Sequence, residues 1–122
     1  MPRSAEALVR LAAGAALDKK ALDLVALDLQ GMSSLADFFL VCTGRSAAQI
    51  DSIVEAIQIA LRAEGIRVRH REGTAESGWL LLDYGDVVVH VFGEGTRAFY
   101  ALERLWGDAP VLSVERGAGS RD

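Results

Sequence analysis

The residues able to carry chemistry in this sequence fall into a few short groups. Gly44-Arg45-Ser46 stands between an apolar run and a helix-like segment, where free N–H groups at a helix start can hold an anion or phosphate. Serine is among the commonest helix caps, so the turn reads first as a capped helix start. A nucleotide-transferring site would also need a carboxylate pair on the next strand, because divalent cations take oxygen ligands. That strand carries Arg67, Arg69 and Arg71 instead. Asp83 and Asp86 bracket Tyr84-Gly85, and carboxylates at a hairpin mouth bond nearby backbone N–H groups and shape the turn. No third group accompanies them for metal or acid/base work. His70 and His90 each stand alone on a strand and read as surface or packed imidazoles. Cys42 is the only cysteine; inside an apolar run it reads as a small core residue, and it excludes an internal disulfide or a Cys-rich zinc site. The expectation is a protein that is not an enzyme, with no catalytic residue, metal or cofactor.

Binding chemistry is better represented. Arg67, Arg69 and Arg71 place three cations about 7 Å apart along a strand, a spacing that either protects a sheet edge or touches RNA. Trp79, Tyr84 and Trp106 are residue types enriched in protein interfaces, and Asp83, Asp86, Glu103 and Asp108 lie beside them. On the helix stripe Trp106 reads equally well as core; Trp79 and Tyr84, at strand ends, suit an interface. Thirteen basic and seventeen acidic residues give a net charge of −4, without the basic surplus of a general phosphate-backbone binder. The imbalance is uneven. Residues 72–122 hold four Lys/Arg against nine Asp/Glu, so the second half suits a basic protein partner.

These residues need a scaffold. The chain has 122 residues, 51% of them hydrophobic, enough for one core and one domain. Ser4 caps an expected helix to about Leu17; Leu22–Leu29 and Phe38–Thr43 read as buried strands. Ser46 and Gln49 form a capping box for a helix whose stripe is Ile50, Ile53, Val54, Ile57 and Leu61, ended by Gly65. Ile66–Arg71 alternates as an exposed edge strand. Trp79–Asp83 and Asp86–Phe92 make a hairpin about Tyr84-Gly85, and Arg97–Trp106 a last helix. The order is α-β-β-α-β-β-β-α, an α/β (α+β) domain with a mixed, about five-stranded sheet flanked by helices. It spans residues 1–110, and 111–122 is expected to be a flexible tail. No segment is apolar over the length needed to cross a bilayer, and the expected location is the cytoplasm.

Three blocks in order carry a resemblance. Asp37-Phe38-Phe39-Leu40-Val41-Cys42-Thr43-Gly44 with Ser46, then Trp79 with Leu82-Asp83-Tyr84-Gly85-Asp86-Val87-Val88-Val89-His90, then Tyr100-Ala101-Leu102-Glu103-Arg104-Leu105-Trp106-Gly107-Asp108-Ala109, resemble the ribosomal silencing factor S family, also called Iojap. The resemblance implies a nucleotidyltransferase-like fold that has lost its catalytic carboxylates. It also implies binding to the large ribosomal subunit, through its universal protein number fourteen, at the face where the small subunit docks. Translation is then repressed under nutrient limitation by steric exclusion. A large-subunit assembly role is the alternative, a nucleotidyltransferase-like enzyme a weaker one, and relatives are often dimers. On this reading Trp79, Asp83, Tyr84 and Asp86 form the docking centre, Glu103 and Asp108 its rim, and any minor ribosomal RNA contact falls to Arg67, Arg69 and Arg71.

Overall fold

Serine hydroxyls start the first two helices. In the computed structural model, which describes residues 4–95, 104 and 109–114, Ser4 Oγ accepts from the Ala7 N–H at the head of α1 (Ala5–Asp18). Ser46 Oγ does the same for the Gln49 N–H at the head of α2 (Ala47–Arg62), each at 3.1 Å. The expected capping box is present in altered form. Gln49 Oε1 accepts from the N–H of Arg45, one residue ahead of the cap, at 2.6 Å. Its Nε2 donates to the carbonyls of Lys19 and Lys20, so one side chain ties the end of α1 to the start of α2. The Gly44-Arg45-Ser46 turn thus spends the Arg45 N–H and the Ser46 hydroxyl internally. Gly65, at φ 80°, ends α2 in the left-handed conformation expected of it.

Between and after the helices run β1 (Leu22–Asp28), β2 (Phe38–Gly44), β3 (His70–Thr74), β4 (Trp79–Asp83), β5 (Val87–Gly93) and β6 (Val111–Leu112). They form one mixed sheet in the order β3-β4-β5-β2-β1-β6, with β2 and β5 parallel and all other neighbours antiparallel. β2 is buried at all seven positions, as its unbroken apolar run requires. Alternation divides its side chains between two cores. Phe38, Leu40 and Cys42 join Leu80, Leu82, Val87, Val89 and Val91 beneath α1 and α2. Phe39 and Val41 join Leu27, Leu29 and Phe92 on the other face.

The structure corrects the expected elements in several places. The strand expected at Ile66–Arg71 begins at His70 and runs to Thr74, because Ile66 and Val68 pack against the helix-side core while the chain climbs toward the edge. The imperfect alternation of Leu22–Leu29 is a β-bulge: pairing shifts by one residue between Leu22 and Val25, with Asp23 at φ 51°. Val111 and Leu112, assigned to a flexible tail, form a sixth strand on β1. Pro110 O accepts from Asp28 N–H, and Arg10 Nη1 donates to Ser113 O at 2.7 Å. The short apolar run after Pro110 supplies this strand. The helix expected at Arg97–Trp106 lies outside the described residues, apart from Arg104.

Gly73 sits on β3 at φ 83°, and a Cβ added there would lie 2.1 Å from the Trp79 carbonyl oxygen. Neither the backbone angle nor the contact tolerates a side chain. Gly73→Ala is expected to destabilise the fold by about 2 kcal/mol or more, read as a lower urea midpoint with an unchanged slope.

Candidate docking surface

The β4–β5 hairpin carries most of the residues singled out above, and its register decides what each can do. Leu81 pairs with His90, Trp79 with Phe92 and Asp83 with Val88. Trp79, Leu81 and Asp83 therefore share one face of β4, opposite the helices, while Leu80, Leu82 and Tyr84 turn toward α1 and α2. Trp79 keeps 39% of its surface exposed and is one of few large apolar residues to do so. Tyr84 keeps only 6%. Burial pushes its phenol up to about 12, an effect that the positive charge of Arg62 partly offsets. The four residues expected at a docking centre are thus split: the sheet brings Trp79 and Asp83 to one face and sends the Tyr84 ring into the core.

The Asp83 carboxylate accepts from the Gly85 N–H at 2.7 Å, the turn-shaping role that a hairpin mouth predicts. Asp86 is exposed, and its carbonyl accepts from the N–H groups of Asp37 and Phe38. That places the β1–β2 loop beside the hairpin turn. The loop carries Leu35, 75% exposed, and Met32, 45% exposed, at the same end of the sheet as Asp37, Asp83 and Asp86. Sequence reading passed over Met32 and Leu35 because Gly31 and two serines mark the segment simply as a loop. Glu103 and Asp108 lie outside the described residues.

The arginines do not form a single stripe. Arg67 is exposed ahead of β3. Arg69 donates its N–H to the Asp83 carbonyl and lies against Gly85, where an added Cβ would meet its guanidinium at 2.8 Å. Arg71 reaches α2 and donates to Gln58 Oε1 at 3.0 Å. Two of the three are therefore engaged with different parts of the protein itself.

Behind Trp79 lies a feature that sequence reading missed. His90, read there as a lone imidazole, is 4% exposed; its Nδ1 accepts from Trp79 Nε1–H at 3.2 Å. The rings of Trp79, His90 and Phe92 lie nearly parallel, with centroids 6.0 to 6.1 Å apart, and Phe39 meets His90 edge-on at 4.7 Å. The hairpin register was the available signal, since pairing about Tyr84-Gly85 sets Trp79 diagonal to His90 on one face. Burial lowers the imidazole from 6.5 to about 4. Cys42, wholly buried, is pushed up to about 12 and is an inert thiol. His70 is exposed, 2.9 Å from Glu72. Among the described residues no cluster of His, Cys, Asp and Glu has the makings of a metal site, and no helix is long and apolar enough to cross a membrane.

Known proteins resemble this chain along most of its length. The family described as "Ribosomal silencing factor during starvation" matches residues 2–122. The ribosomal silencing factor RsfS of Halalkalibacterium halodurans is 46% identical over 112 residues, covering 92% of this chain and 96% of the relative. That of Bacillus subtilis is 45% identical over 112 residues, covering 92% and 95%. A crystal structure of a Chromobacterium violaceum protein superposes with a TM-score of 0.81 at 33% identity, over 97% of this chain and 98% of that one.

His90 makes stability pH-dependent. It is held neutral when folded, so its contribution is complete above 6.5 and is lost as pH falls through about 4. Between pH 7 and pH 4 the parent is expected to lose about 3 kcal/mol more stability than His90→Phe, measured by urea unfolding across that range.

Proposed function

The chain belongs to the family of ribosomal silencing factors, and from that premise we propose that it docks on the large ribosomal subunit at the face the small subunit uses, blocking joining and so repressing translation without catalysis. The observation that carries this reading is the β4 face, where an exposed indole and an apolar neighbour share a strand with a carboxylate. Such a surface suits a basic protein. The ring supplies buried area at the centre of a contact, and Asp83, Asp86 and Asp37 supply a negative rim for Lys and Arg side chains. The partner is the basic large-subunit protein numbered fourteen in the universal scheme. Tyr84 supports the surface from behind by filling the core under the hairpin turn. The location that goes with this role is the cytoplasm.

Steric exclusion requires no conformational work: a 13.1 kDa domain seated on a subunit contact needs only to be bound more tightly than the bridge it replaces. The acidic net charge, with Arg69 and Arg71 turned to the protein itself, favours protein as the principal partner and leaves ribosomal RNA a minor one, met by Arg67.

Trp79→Ala is expected to remain folded and to bind purified large subunits about 30-fold or more weakly in co-sedimentation, with a parallel loss of inhibition in subunit reassociation. Asp86→Lys is expected to slow association and flatten its dependence on salt. Co-sedimentation of folded Trp79→Ala at parental affinity would place the docking surface elsewhere.

A further inference from the structure

A buried histidine with one ring nitrogen unpartnered is an odd choice for a core position. His90 Nδ1 accepts from the Trp79 indole, which leaves the ring proton on Nε2, and Nε2 is buried with no hydrogen-bond partner. An orphaned buried donor weakens the fold, whereas an apolar ring of similar size at this position, between Phe39 and Phe92, would not. The return on that cost lies on the surface side. Trp79 sits at the end of β4 with more than a third of its surface in solvent, and an indole so placed has several side-chain rotamers open to it. Two contacts restrict it: the stack on Phe92 and His90, which the ring can slide along, and the hydrogen bond to Nδ1, which fixes its rotation.

We propose that His90 is a positioning residue for docking: it never touches the partner, but its Nδ1 locks the exposed Trp79 ring in the orientation that the ribosomal protein receives. The inference rests on the docking role given to Trp79 above. A pre-set ring forfeits no rotational freedom on binding, so the histidine raises affinity through the side chain in front of it. Because the imidazole stays neutral throughout the neutral range, Nδ1 remains an acceptor there.

The arrangement predicts opposite signs for stability and binding. His90→Phe removes the orphaned donor and keeps the stack, so the free protein is expected to unfold at an equal or higher urea concentration at pH 7. Its affinity for purified large subunits is expected to fall about 3- to 10-fold. A purely structural role would move both in the same direction. In a Trp79→Phe background, which keeps a ring but has no N–H to donate, His90→Phe is expected to cause no further loss. With Trp106→Phe in place so that Trp79 is the sole indole, His90→Phe is expected to lower the fluorescence anisotropy of the free protein. If His90→Phe fails to fold, Trp79→Phe alone removes the same bond from the exposed side and is expected to lower affinity to a similar degree. Parental affinity in folded His90→Phe, or in Trp79→Phe should the histidine variant not fold, overturns the inference, as does an undiminished effect of His90→Phe in the Trp79→Phe background. Weak binding by Trp79→Ala alongside that result confines the failure to His90; parental binding by Trp79→Ala removes the docking reading and this inference with it.

Discussion

The parallel ladder between β2 and β5 is the constraint from which the rest of the structure follows. It pairs Phe38 with Val87 and continues residue by residue to Gly44 with Gly93, at the centre of the sheet. Parallel neighbours are stable where both faces are covered, and both strands are almost wholly apolar. Once this register is set, the odd and even residues of β5 are assigned to opposite faces. The hairpin to β4 then carries that assignment outward. Val87, Val89 and Val91 must lie under the helices, which leaves Val88, His90 and Phe92 for the other side and brings Trp79 with them. A slip of one residue would exchange the indole for a leucine and bury the carboxylate of Asp83.

That assignment explains why two aromatic residues five positions apart play unlike parts. Trp79 and Tyr84 differ in parity, so one ring reaches solvent and the other enters the core beside Arg62. The turn between strands is held by Asp83 and covered by Arg69, which lies across Gly85, a position whose φ of 93° favours glycine. The negative charge at this end of the sheet is therefore attached to a stiff support. In the docking proposed above, complementary charge would steer and orient a basic partner, and the exposed ring would supply buried area at the centre of the contact.

Much of this was legible in the sequence. The apolar runs of β2 and β5, the serine caps, the stripe of α2 and the Tyr84-Gly85 reversal are local signals, and local signals survive folding. The three-block resemblance named the family that the relatives then showed. What escaped were consequences of pairing between distant segments. β6 is two residues long and has meaning only beside β1. The arginines at 67, 69 and 71 look like one stripe until the chain ahead of β3 proves to pack against the helix-side core, sending Arg69 to the hairpin turn and Arg71 to Gln58. His90 seemed alone because its partner, Trp79, is a neighbour across a turn and not along the strand.

The pairing of β6 with β1 has a kinetic meaning as well. Ala26 meets Leu112 only after a loop containing nearly the whole domain has closed, whereas β4 and β5 meet across a tight turn. The entropy of closure grows with that separation, and two residues of ladder return little for it. The hairpin that carries Trp79 and His90 can therefore form early and locally, while β6, fastened by its short ladder to β1, the Asp28–Pro110 bond and the Arg10 bond to Ser113, joins late. Release of β6 would bare the outer edge of β1, at the far side of the sheet from β3, and would leave the Trp79–His90 pair undisturbed.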